Sequence, residues 1–350
     1  MIRCGIIGCG VIAPTHIEAY QSLPDVEVVH LSDIIPERMK EKAEKYHIPK
    51  CSADYRTLLA DPEVDLVSIC TDHASHAQIF IDALNAGKHV ICEKSFGRVQ
   101  EDLERMTAAA HAHPELVSSG IFQHRFEQHN LDLKQLVQEA AFGKIVMINL
   151  HFRCRRTEQY YQNDPWRGTL AGEGGGILIN QAIHHLDQLR FIFGEITQVS
   201  AHCSNMTHQG VIEVEDTAVF TARFAAGFSG VIAATNASVE DWCSTLLIDG
   251  SEVSLNYVNE KCAAIHALDT AKSDRISALL GDSREGISTA GKSYYGSGHT
   301  AQLAEFISAI REKRPSVITA ADAANSSSLV LAVYASAAQN GTPVEVKLYK

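Results

Sequence analysis

Up to about residue 120, short apolar runs alternate with amphipathic stretches. The runs 2–7, 26–32, 64–70, 89–93 and 116–120 have the length of strands. Between them, 14–20, 36–46, 55–59, 74–86 and 100–112 carry apolar positions at helical spacing. That alternation predicts a doubly wound parallel sheet. From about 145 the pattern lengthens into strands over 145–152, 196–202, 217–224, 227–235, 244–248 and 252–256, interrupted by one main helix over 177–193. This predicts an α+β domain on an open, largely antiparallel sheet with one face available to cover a ligand. Residues 259–297, rich in Ser, Gly and Ala, read as an irregular segment near the site or a subunit contact. Helices are predicted over 299–313 and 320–339, broken by Pro315. The expected division is a doubly wound α/β domain over 1–122 and an α+β domain over 123–350, with the last helix, 320–340, able to pack back on the first.

The first strand runs directly into Gly8-Cys9-Gly10-Val11-Ile12-Ala13, and a helix follows. This is the Ala-ended dinucleotide fingerprint. Gly8 allows a tight turn, Gly10 lets the backbone approach a pyrophosphate, and Ala13 permits close packing of helix on strand. The helix start that follows Val11 and Ile12 favours an anion through its unpaired N–H groups and its dipole. The second strand ends at Asp33, whose carboxylate suits the ribose hydroxyls and repels a 2′-phosphate. Ile34 and Ile35 follow with no adjacent Arg, so NAD is favoured over NADP.

In Gly174-Gly175-Gly176-Ile177-Leu178-Ile179-Asn180-Gln181-Ala182-Ile183-His184-His185-Leu186-Asp187, the polar residues Asn180, His184 and Asp187 fall at i, i+4 and i+7. That spacing puts them on one helix face, beside an apolar stripe of Leu178, Ala182, Leu186, Leu189 and Phe193. A core-anchored helix is a way to aim an imidazole, which titrates near operating pH and suits a proton acceptor. Lys94, after the strand 89–93, lies where open α/β sheets bind ligands and can hydrogen-bond a reacting oxygen. His76, opening the helix after the third strand, is placed to meet the nicotinamide end or its ribose. Asp187 reads as support for its own helix, and His185 as structural.

Composition narrows the classes. At 350 residues the chain exceeds the usual single core, and its net charge of −12 argues against nucleic acid and anionic membranes. No apolar run is long enough to span a membrane, and a strand starts too early to leave room for a secretory signal. Nine cysteines without a C-x-x-C pair indicate a reducing cytoplasm. Cys9 and Cys92 lie where they would meet thiol reagents. The 17 histidines form no metal-ligand motif, so no metal is expected.

Four segments occur in order: the fingerprint, Thr71-Asp72-His73-Ala74-Ser75-His76, Gly87-Lys88-His89-Val90-Ile91-Cys92-Glu93-Lys94-Ser95, and the run 174–187. Together they resemble the glucose–fructose oxidoreductase / inositol dehydrogenase / MocA family of NAD(P)-dependent oxidoreductases. The resemblance spans nearly the whole chain, including Arg125-Phe126 and the final helices. It implies hydride transfer between nicotinamide and a secondary alcohol of a sugar, polyol or sugar derivative. It also implies Lys94 and His184 as catalytic residues, with Thr71, His76, Glu93 and Lys94 beside the cofactor. A homodimer or homotetramer through the second domain's sheet is expected. Asn180 stands where the family pattern has Asp, and Ala182 where it has Gly. Asn180 cannot carry charge, but its amide can still hold a sugar hydroxyl. Ser95 stands where the family has Pro, and cis bonds are rare before other residues, so an ordinary trans bond is expected after Lys94.

Trp166 and Arg167, with Arg153, Arg155 and Arg156 on the preceding strand, offer an aromatic face and cations for a sugar ring, a sugar acid or a sugar nucleotide. Tyr160 and Tyr161 are candidates for the same wall. Two further classes fit the resemblance: an NAD-dependent glycoside hydrolase, and a non-catalytic NAD-sensing regulator.

Overall fold

The computed structural model describes residues 1–281 and 298–350. It divides into two compact units: Met1–Phe126 with 298–327 and Tyr349–Lys350, and 127–281 with Ser328–Leu348. The expected boundary after residue 122 thus gives way to one after Phe126, and residues 298–327 join the first unit.

In the first unit, β1 (Ile2–Ile7), α1 (Ala13–Gln21), β2 (Val26–Ser32), α2 (Pro36–Tyr46), β3 (Lys50–Ser52), α3 (Tyr55–Leu59), β4 (Leu66–Ile69), α4 (His73–Asn85), β5 (His89–Cys92), α5 (Gln100–Ala112) and β6 (Ser118–Gly120) follow in order. The sheet is parallel throughout, ordered β3-β2-β1-β4-β5-β6. Its central strands are buried on both faces, which is why they read as continuous apolar runs. Strand order reverses beside β1, between β1 and β4, and open α/β sheets bind ligands at that point. The core joins Ile6, Ile17, Tyr20, Leu31 and Ile91 to Leu303, Phe306 and Ile307 of the helix Gly298–Glu312. Burying each such side chain contributes roughly 1.5–3 kcal/mol. That burial explains why so late a helix belongs to the first unit.

In the second unit, α6 (Gln128–Gln138), β7 (Ile145–Arg153), α7 (Glu158–Gln162), α8 (Ile183–Phe193), β8 (Ile196–Ser204), β9 (Thr217–Phe224), β10 (Ser229–Thr235), β11 (Cys243–Gly250), β12 (Val253–Val258), β13 (Lys261–Ala267) and α9 (Thr270–Leu280) are joined by a short strand, Val344–Glu345, that pairs with β8. All pairings are antiparallel except β7 with β10. Strict alternation buries Phe220, Ala222, Ile232, Ile148 and Leu150 on one face. On the other face Met147, Val219, Val231 and Leu247 stay exposed.

The stretch 259–281, expected to be irregular, forms β13 and α9 instead. β13 is an edge strand whose side chains are all exposed or half-buried, so it carries no clear apolar alternation. The rest of that stretch, 282–297, lies outside the described residues. Among the described residues, no helix is long and apolar enough to cross a membrane.

Candidate functional site

At the carboxyl end of β1 the chain turns through Gly8 at φ +94°, where a Cβ would lie 2.5 Å from the Cys70 carbonyl oxygen. Only glycine fits that approach. At Gly10 an added Cβ would meet nothing within 4 Å, so there is room along the loop for a pyrophosphate. Ala13 is fully buried at the start of α1, with Pro14 in the first turn. Asp33 accepts the Cys9 N–H at 2.6 Å and the Ile35 N–H at 2.7 Å, which fixes the carboxylate beside the fingerprint loop. Val11 is exposed and Ile12 half-buried, as suits residues that border a ligand. These residues fit a dinucleotide. Replacing Asp33 with Asn removes the charge that repels a 2′-phosphate and gives up one of the two accepted N–H bonds, since an amide has a single acceptor oxygen. The D33N variant is expected to narrow the preference for NAD over NADP by about tenfold, read from initial rates with each cofactor.

Lys94 is half-buried immediately after β5, and its peptide bond to Ser95 is cis, not trans as expected from the serine. The turn is held from several sides. The Lys94 N–H donates to Glu93 Oε2 at 3.2 Å, and Ser95 Oγ donates to the Gly97 carbonyl at 2.8 Å. His76 is fully buried: its Nδ1 lies 2.7 Å from the Ser95 carbonyl oxygen and its Nε2 lies 3.2 Å from that of Thr71. Burial pulls the His76 pKa down, and the neutral ring, with one N–H, donates to one of these two carbonyls while it packs between both loops. Thr71 sits half-buried at the end of β4.

Glu93 is buried beneath this turn, with His16 Nε2 at 2.9 Å and His299 Nε2 at 3.7 Å from its Oε1. Burial pushes the carboxyl up, but the two histidines pull harder and hold it well below the usual carboxylate range. His16 passes the network on through Nδ1 to Ser68 Oγ at 3.1 Å. Sequence reasoning missed His16 and His299, which lie 77 positions before and 206 after Glu93 (93 − 16; 299 − 93). Cys9 and Cys92 are both buried, and burial pushes the Cys9 thiol up to about 12 and the Cys92 thiol well above its ordinary value. They are protonated, poor nucleophiles rather than reactive thiols.

In the second unit, the run after the triple glycine opens with one π turn over Leu178–Ala182 and continues as α8. The expected single helix is therefore two kinds of helix in series, and such π turns occur often at functional sites. Asn180 and His184 are both buried on it. The start of the run is docked on Glu215. Glu215 Oε2 accepts the Gly176 N–H at 2.8 Å, while Oε1 accepts the Leu178 N–H at 3.1 Å and the Tyr334 hydroxyl at 2.8 Å. Burial raises the Glu215 carboxyl, the donors lower it, and it ends at about 7. Asp187 pairs with Arg190 at 3.5 Å, and His185 packs its ring 4.4 Å from that of Phe152, so both serve the helix and its core.

Of the basic candidates, Arg153, Arg156 and Arg167 are already paired within the unit. Arg153 meets Glu240 at 2.7 Å, and Arg156 lies over the Tyr160 and Trp242 rings with Asp241 at 3.7 Å. Arg155 is exposed. Arg167 donates through Nε to Asp164 at 3.1 Å, donates to the Tyr160 hydroxyl, and stacks on Trp166. Tyr161 instead accepts from Asn236 at 2.9 Å and closes a small apolar cluster with Ile212 and Val214.

A parallel sheet with the fingerprint at its switch point and a lysine just past β5, two strands from β1, has the layout of an NAD-binding oxidoreductase. The chain belongs to the GFO/IDH/MocA family. Residues 2–121 match its oxidoreductase domain with the NAD-binding Rossmann fold, and residues 130–256 match its C-terminal domain. It is 31% identical to the oxidoreductase YrbE of Bacillus subtilis over 66% of each chain. It is 29% identical to myo-inositol 2-dehydrogenase of Thermotoga maritima, over 72% of this chain and 73% of that one. Among solved structures it resembles the WlbA dehydrogenase of Chromobacterium violaceum in complex with NADH and UDP-GlcNAcA. That likeness has a TM-score of 0.86 at 26% identity, over 100% of this chain and 97% of the other.

Proposed function

We propose that the protein transfers a hydride between a secondary alcohol of a sugar or polyol and NAD, with Lys94, His184 and Asn180 acting on the substrate. The observation that carries this reading is Lys94, held by a clasp of backbone and buried side chains at the ligand-binding end of β5. NAD, when bound, supplies the hydride acceptor. The chain's own residues bind the dinucleotide through Gly8, Gly10, Val11, Ile12 and Asp33, with Thr71 and the Glu93-Lys94 turn lining its nicotinamide end. His76 acts by holding that turn rather than by touching the cofactor. Lys94 donates a hydrogen bond to the reacting oxygen and stabilises the charge that develops there. His184 takes the hydroxyl proton. Asn180 holds the same hydroxyl or its neighbour.

Because Arg153, Arg156 and Arg167 each already meet a carboxylate, the second unit supports a neutral polyhydroxy ring. Trp166 and Arg167 border it. A nucleotide sugar is the second reading, favoured by the likeness to the UDP-GlcNAcA-bound WlbA dehydrogenase. NADH appearance across polyols, aldoses, sugar acids and UDP-sugars tests both. Release of a leaving group without net NADH points to the glycosidase class. Binding of NAD without turnover of any substrate points to the regulator class.

The reading extends to assembly. Met147, Val219, Val231 and Leu247 form an exposed apolar stripe across β7, β9, β10 and β11, the face a second copy would cover. A V219E/V231E variant is expected to shift a homodimer or homotetramer to monomer in light scattering. An unchanged mass places the interface elsewhere. The nine cysteines are unbridged, which fits work in the cytoplasm.

A further inference from the structure

Asn180 is neutral where the family pattern is acidic, yet a carboxylate stands beside it. Asn180 Nδ2 donates to Glu173 Oε1 and, at 3.3 Å, to the Tyr160 hydroxyl. Glu173 is 1% exposed, and its other oxygen accepts the Gly168 N–H at 2.5 Å. The Tyr160 hydroxyl also accepts from Arg167 and, at 3.3 Å, from Gln181 Nε2. Glu173 therefore ties the loop bearing Trp166 and Arg167 to Asn180, and its charge faces that of Arg167.

We propose that Glu173 is a positioning residue of the substrate site. It carries the negative charge that the family pattern puts at 180, and it fixes which end of the Asn180 amide meets the substrate. With Nδ2 held toward Glu173 and Tyr160, Oδ1 is the end turned toward a substrate hydroxyl, which donates to it. The inference rests on the reading of Asn180 as a substrate contact. It also explains why position 180 is an amide. An Asp there would press a second carboxylate against Glu173 in a buried place, and one of the two would have to take up a proton. A neutral residue at 180 and a charged one at 173 are one solution; the reverse is the other.

The experiment compares wild type with N180D, E173Q and the double variant N180D/E173Q in two readouts. The first is thermal unfolding from pH 6 to 9 with no substrate added. N180D is expected to lose stability progressively as pH rises, because folding then forces two charges together, and the double variant is expected to remove that slope. The second is steady-state kinetics on whichever substrate wild type oxidises. E173Q is expected to raise KM about five- to tenfold while changing kcat less, since the loss falls on substrate positioning. N180D is expected to lower kcat/KM about tenfold at pH 8, with the double variant recovering most of it.

A flat pH profile for N180D, or a double variant no better than the worse single one, overturns the charge exchange. A pH-linked stability effect with KM unchanged in E173Q overturns the positioning role. If wild type oxidises no substrate offered, the proposed function fails on that result, and the unfolding arm still decides whether the two positions exchange charge.

Discussion

Lys94→Ala is expected to leave the fold and NAD binding intact and to lower kcat by about 10²–10³-fold, the usual cost of losing one preorganised donor to a developing oxyanion. The backbone around Lys94 is held by Glu93, Ser95 and His76, whose contacts an alanine at 94 leaves in place. Truncation therefore removes the ammonium without releasing the turn. Lys94→Met keeps most of the stem and should be as inactive as alanine, which separates loss of charge from loss of packing. Lys94→Arg should fail to rescue, because a planar fork does not replace a compact ammonium at a single oxygen. The checks are single-turnover hydride transfer and NAD titration by fluorescence quenching. Tight NAD binding with kcat within tenfold of wild type in Lys94→Ala would remove the lysine from the chemistry. His184→Ala offers the companion test: a proton acceptor contributes about 10²–10⁴-fold, and the loss should shrink as pH rises and hydroxide takes its place.

Much of this site was legible in the sequence because its parts are local. Gly8, Gly10, Ala13 and Asp33 belong to one β-α-β stretch, where the close approach at Gly8, the burial of Ala13 and the N–H bonds to Asp33 all arise locally. The helix run 177–193 shows its apolar stripe directly. The unread parts are pairings over long separations. Glu215 and Tyr334 meet 119 positions apart, and nothing in either local pattern marks a buried carboxylate docking a helix start. The helix Gly298–Glu312 was legible as a helix. Its place in the first unit was not, because the partners of Phe306 lie in β1, α1 and their neighbours. β3 and the strand Val344–Glu345 are three and two residues long, too short for any period to show. His76 stands in the first turn of α4. Its ring, however, is turned to the Ser95 and Thr71 carbonyls, and burial decided that direction, not spacing.

Gly176→Ala is expected to be among the most damaging single-methyl changes in the second unit. A Cβ there would overlap the Glu215 carbonyl oxygen, which also accepts the Ile177 N–H at 3.3 Å. The neighbour is backbone at the entry to β9, so it cannot rotate away as a side chain would. Either the strand shifts or the π turn moves off Glu215, and the second course breaks the bonds to the Gly176 and Leu178 N–H groups. Overpacking of this kind costs about 1–3 kcal/mol or more, and exposing a buried Glu215 carboxylate to fewer donors adds to it. For a unit of this size, each kcal/mol corresponds to a Tm loss of roughly 2–4 °C. Activity should fall further than stability at working temperature, because Asn180 and His184 take their positions from this helix start. Thermal unfolding and kcat measured on the folded fraction separate the two effects. Glu215→Gln keeps the side chain's size but turns an N–H toward one of its donors, so it should reproduce part of both losses. If Gly176→Ala unfolds within a degree or two of wild type and turns over normally, the docking of this helix on Glu215 is not what aims the site.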